Sequence, residues 1–198
     1  MTVILKHFVK ASLAGLLLMS STSAFAQSDA PTQDTDPVLV FNRVCYAQVP
    51  VINNIRDLAS RMAWEPMGGE DLAQFTRIEN PDVLEGWDAR LAQRLYRLGV
   101  VQTGVTGVFL ENFPDFADGT TTSCSLVLDG RDDADVIIGR MNQLAGKEPT
   151  STNTADGDLL TTTWAGGNED FKVFLFHKAD QSGKANLLNV TILSKEKI

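Results

Sequence analysis

The segment Asp129-Gly130-Arg131-Asp132-Asp133-Ala134-Asp135 puts four carboxylates into seven residues, the density a divalent cation needs. A calcium loop of the EF-hand kind requires acidic or amide ligands at alternate positions, then a glycine, then a bidentate glutamate. Here Gly130 follows the first aspartate directly, and no glutamate stands at the required distance. The same aspartates suit the start of a helix, with Asp132 as N-cap and Asp133 and Asp135 at the positive end of the helix dipole. No metal ligand is therefore assigned.

Of the two histidines, His7 and His177, only the second lies beyond the first 26 residues. It ends the run Phe171–His177, and a nucleophilic triad built around it would need partners with no local signature. Neither G-x-S-x-G nor H-E-x-x-H occurs. The glycines at 68–69, 104–107 and 166–167 match neither a dinucleotide fingerprint nor a phosphate-binding loop, so no cofactor is expected. Acid–base chemistry would have to come from scattered carboxylates, as in a small hydrolase or lyase. No catalytic residue is assigned.

Arg90, Arg94 and Arg97 fall within about 60° of one another on a helical wheel and form the one local basic stripe in an acidic chain. Together with Trp64, in the loop Trp64-Glu65-Pro66-Met67-Gly68-Gly69, they are candidate contacts for an acidic partner, a phosphate or a lipid headgroup. The competing reading is plain: the arginines solvate a helix flank, and Trp64, Trp87 and Trp164 serve a core or a pocket wall. Cys45 and Cys124 are the only cysteines. Without a CxxC, and too few for a zinc site, they are expected to form one structural disulfide in an oxidising compartment. By chain entropy, closing that long loop contributes at most ~4 kcal/mol.

The chain's beginning supplies that compartment. Lys6 and Lys10 with no acid form a positive start, and Ala11–Met19 is an apolar run far short of the roughly 20 residues that cross a bilayer as a helix. Ala24 and Ala26 occupy the small-residue positions before a cleavage site between Ala26 and Gln27. Residues 1–26 thus resemble a bacterial Sec signal peptide, and the expected location is periplasmic or secreted. Residues 27–36 are polar and read as a disordered leader. The net charge of the whole chain is −8, and −10 without residues 1–26. That acidity keeps an exported protein soluble and argues against nucleic-acid binding, which needs phosphate-neutralising Lys and Arg. No segment after residue 26 is apolar for long enough to span a membrane.

The elements that would carry these residues follow from periodicity and punctuation. Asp36-Pro37 opens a helix over 37–48, and Ile52, Ile55, Ala59 and Met62 mark a second over 51–63. Residues 63–75 read as a loop. Asn80-Pro81 opens a further helix over 81–92, followed by a strand over 94–102, although alternation and helical spacing overlap there. Val105–Leu110 reads as a short strand, and Cys124 falls in another. The aspartate cluster starts a helix that Gly146 ends. Strands over 158–165, 170–178 and 186–194 close the chain through turn-rich connections. The expectation is one α+β domain over 37–198, with N-terminal helices packed on a mainly antiparallel sheet and a C-terminal three-strand meander. Its expected function is that of an exported, non-enzymatic protein binding another protein or an envelope component. The alternatives are the carboxylate enzyme, or a carrier holding a small apolar ligand between helices and sheet.

Overall fold

In the computed structural model, which describes residues 36–91 and 93–196, Asp36 accepts a hydrogen bond from the Val38 amide at 3.0 Å and so caps α1 (Pro37–Phe41). The expected signal peptide and all but the last residue of the expected leader lie outside the described residues. The helix widens into a π-turn over Asn42–Tyr46 that carries Val44 and Cys45 into the core. After a cis Val49–Pro50 peptide, α2 (Ile52–Arg61) buries Ile52, Ile55 and Ala59 and leaves its charged side to solvent.

The remaining elements are β1 (Glu65–Pro66), β2 (Val83–Leu91), β3 (Arg94–Gly104), α3 (Gly107–Asn112), β4 (Thr120–Val127) and α4 (Ala134–Ala145), then β5 (Ser151–Asp156), β6 (Leu159–Gly167), β7 (Phe171–Asp180) and β8 (Ala185–Ser194). All eight strands join one antiparallel sheet in the order β1-β2-β3-β4-β8-β7-β6-β5. Mixed α+β is thus the class of the fold, and all the described residues fall in one compact unit.

Four local expectations are corrected. The helix expected over 81–92 is β2: Trp87, Ala89 and Leu91 are buried while Asp88 and Arg90 alternate with them, so period two prevails over the helical arc. A tight turn leads from β2 into β3, with Gln93 at a positive φ of 65° and Leu91 paired with Arg94. Val105–Leu110 is not a strand; α3 begins there at Gly107, because a short apolar run fits either state and tertiary contacts decide. Residues 151–156, read as part of a polar loop, add β5 at the edge, with every residue exposed. The N-cap of α4 is Asp133, not Asp132, whereas Gly146 ends that helix at φ 67° as its sequence position implies.

The pleat sorts side chains onto two unequal faces. On one, Trp87, Tyr96, Leu98, Val100, Cys124, Leu126, Trp164, Leu175, Leu188 and Val190 meet Val38, Phe41, Val44, Cys45, Ile55, Ile137 and Met141 from the helices. This is the main core. Each of its large apolar side chains contributes ~1.5–3 kcal/mol by leaving water. Trp164 is sealed inside and its indole N–H donates to Asn142 Oδ1 of α4 at 2.9 Å. The disulfide Cys45–Cys124, with Cα atoms 5.4 Å apart, pins the π-turn to the centre of the sheet. Among the described residues the opposite face carries no long helix, and its smaller cluster of Val105, Phe116 and Leu193 sits under α3 and the turn after it.

Candidate functional site

The residues singled out from sequence do not come together. Because 81–104 is a hairpin rather than a helix, the arginine stripe dissolves. Arg90 and Arg97 project from the face without long helices, where Arg97 lies 3.6 Å from Asp88. Arg94 projects the other way. Its guanidinium is 2.5 Å from both Asp129 and Asp132 and lies over the Tyr96 ring, 5.4 Å from its centroid. Burial opposes the charge on Arg94, but the hydrogen bonds to Asp132 and Asp129 outweigh it and raise its pKa further. Burial likewise works against ionised Asp129, yet the bond from Arg94 holds its carboxyl below the usual range. The aspartate cluster therefore belongs to an internal clamp between β3 and the segment leading into α4. Trp64 is built into the core.

His177 is also internal. It is 1% exposed on the helix-covered face, paired across the sheet with Thr162 and Leu188. Neither ring nitrogen has a hydrogen-bond partner among the described residues, and burial lowers its pKa to about 4. A sealed, neutral imidazole on that face has no access to a ligand. Among the described residues, no group of three or more His, Cys, Asp or Glu side chains is placed to share a metal ion.

A concave region with convergent polar groups lies elsewhere, on the face that carries no long helix among the described residues. The central strands β4 and β8 place Ser123 opposite Thr191 and Ser125 opposite Asn189. Their side chains bond across the pair and along β8: Asn189 Nδ2 donates to Ser125 Oγ at 2.8 Å, Thr191 Oγ1 donates to Asn189 Oδ1 on the same strand at 3.0 Å, and Ser123 and Thr191 hydroxyls are 2.8 Å apart. Ser125, Asn189 and Thr191 of this ladder form the floor of an open cleft of about 780 Å³. The volume lies in the ~300–1,000 Å³ span of small-molecule sites.

One wall is set by two glycines. Gly86 and Gly99 are register partners in β2 and β3, and the missing side chains leave a trench on this face. Phe75, at the end of the 3-10 turn Gly69–Phe75, drops into it. A Cβ at Gly99 would lie 2.2 Å from the Phe75 ring, so that packing requires glycine. The other wall is formed by Phe109 and Phe176, with Phe174 and Phe113 packed behind them. Phe174 lies 5.3 Å from Phe109 of α3 and 5.6 Å from Phe113, and it stacks on Phe176 at 6.3 Å, spacings at which aromatic rings attract.

No family model, curated protein or solved structure matches the chain. The geometry of the cleft therefore carries the functional reading.

Charge completes it. Arg77, Lys178 and Asp156 line the cleft with the floor residues. Lys178 bonds Asp156, and that hydrogen bond holds the Asp156 carboxyl below its usual range. Two cations and one anion leave the cleft locally positive in an acidic chain. The cleft continues under α3 into a second lobe of about 390 Å³ that adds Val101, Thr121 and Val108. None of Phe75, Arg77, Phe109, Ser125, Phe176 or Asn189 was a candidate from sequence. The legible trace was the alternation in β4, where Thr121, Ser123 and Ser125 interleave with Thr122, Cys124 and Leu126, so that a polar parity faces away from the core.

Proposed function

We propose that the protein is an exported, non-enzymatic binding protein that holds an envelope component in the cleft over β4 and β8. The observation that carries this reading is the cleft itself: a hydroxyl and amide floor between aromatic walls, on the sheet face that no long helix among the described residues covers. Ligand sites are typically concave and largely apolar, with a few convergent polar groups. The titratable groups weigh toward binding over chemistry. Asp156 is committed to Lys178, and His177 is on the opposite face. A ligand layer between helices and sheet has little to recommend it, since Trp164, Tyr96, Phe41 and Met141 fill that space.

The disulfide fits an oxidising compartment. No helix among the described residues is long and apolar enough to cross a membrane. Delivery to the periplasm or beyond by a signal peptide over residues 1–26, cut after Ala26, belongs to the same proposal, as does a partner drawn from the envelope. N-terminal sequencing of the exported protein should begin at Gln27. A photo-crosslinking residue placed at Phe176 should yield an adduct in cells, whereas the same residue at Val136, exposed on α4, should not. Equal labelling at the two positions, or none at either, overturns the reading.

A further inference from the structure

The direction of the hydrogen bonds in the floor constrains what the cleft accepts. Thr191 has a single hydroxyl proton, and it goes to Asn189 Oδ1. In its contact with Thr191, Ser123 must therefore be the donor. Asn189 spends one of its two N–H bonds on Ser125 Oγ. The chain of bonds thus runs Ser123 to Thr191 to Asn189 to Ser125. It ends with the Ser125 hydroxyl proton and the second Asn189 N–H uncommitted to any described side chain. Donors at the end of such a chain are polarised and strengthened by those behind them. Arg77, whose charge helps hold the Asp156 carboxyl below its usual range, lines the same cleft as this end of the ladder, as does Lys178. What converges is a set of donors and a net positive charge, the one carboxylate, Asp156, being paired with Lys178. The groups facing them are rings and aliphatic side chains: Phe75, Phe109, Phe176, Leu159 and Leu187. Beyond these the second lobe leads to Ile78 and Val108, both exposed apolar side chains.

Resting on the cleft as the binding site, we infer that its ligand is an anionic amphiphile, an alkyl chain ending in a carboxylate or a phosphate monoester. The head accepts hydrogen bonds from Ser125 and Asn189 and is countered by Arg77 and Lys178. The chain lies along the phenylalanine wall toward the second lobe. A polyhydroxylated ligand would use donors and acceptors alike and gain nothing from Arg77. An uncharged apolar one would leave the floor donors unspent and desolvated, which costs free energy.

Titrations of the exported protein with sodium decanoate, decyl phosphate and 1-decanol, each below its aggregation concentration, test this by calorimetry and by amide chemical-shift mapping. Shifts should gather at Ser125, Asn189 and Phe176, and at least one of the two anions should bind about tenfold or more tightly than the alcohol, the span of a charge-assisted hydrogen bond. Which anion binds more tightly names the source of the head. Arg77→Gln, an exposed change, should weaken the anions about tenfold and leave decanol unchanged, while Phe176→Ala should weaken all three. Equal affinity for decanol and both anions, or anion binding indifferent to Arg77→Gln, overturns the inference and leaves the cleft reading standing. Crosslinks from Phe176 without binding of any of the three do the same. Failure of the probes together with failure of the crosslinks overturns both.

Discussion

Replacing His177 with leucine should remove a specific portion of the protein's sensitivity to mild acid. The imidazole is sealed in the helix-covered face, and burial lowers its pKa from 6.5 to about 4. Because the folded state disfavours the charged form, the unfolded chain takes up a proton first as pH falls. Stability from this site is therefore complete above pH 6.5 and is lost as pH drops toward 4. With those two values, linkage gives a loss of about 2 kcal/mol between pH 7.5 and pH 5, rising toward ~3.4 kcal/mol below pH 4. The window is selective. Asp129 and Asp156, held below their ordinary value of 3.8 by Arg94 and Lys178, contribute stability that is present above that value and lost only in stronger acid. Urea unfolding followed by tryptophan fluorescence at pH 7.5 and pH 5 should show a drop for the native sequence about 2 kcal/mol larger than for His177→Leu, with unchanged denaturant slopes. Titration of the His177 ring by NMR, the only histidine signal once residues 1–26 are absent, reads the same pKa directly. Equal acid sensitivity in the two proteins, or a ring titrating near 6.5, would refute the reasoning.

Gly99→Val should expel Phe75 from its trench, at a cost of about 1–3 kcal/mol, and weaken binding in the cleft; a thermal melt and a decanoate titration measure the two effects. Arg94→Met takes the buried cation from Asp132 and leaves Asp129 only the exposed Arg131, 3.1 Å away, and should cost on the order of 3 kcal/mol, part of which returns when Asp129→Asn and Asp132→Asn are added. A double-mutant cycle with additive effects would show that the clamp does not exist. Alkylation and intact mass should find no free thiol before reduction and two after. Joint replacement of Cys45 and Cys124 by alanine should lower stability by up to ~4 kcal/mol, read as a shift in urea midpoint.

The parts of the fold legible in the sequence are those governed by neighbours along the chain. Asp36-Pro37 announced its helix because the cap and the fixed proline φ act over two residues. Gly146 announced a helix end for an equally local reason. Residues 81–92 went astray because Trp87 and Leu91 satisfy both a four-residue and a two-residue period, and only pairing with β3 chooses between them. The binding residues were illegible for a related reason. Ser125 and Asn189 are 64 positions apart, and each is an ordinary polar residue until strand register sets them side by side.

By itself the sequence determined an acidic chain, a cysteine pair, and a mixed α+β class, since charge, cysteine count and periodicity are sums over residues or over short windows. Only the tertiary structure decided which charges are spent and which remain. Arg94 became an internal clamp and Arg77 a cleft residue, though nothing in composition separates them. The cause is the antiparallel pleat, which assigns each residue to a face by parity and to a neighbour by register, and both quantities are set by contacts across the whole chain.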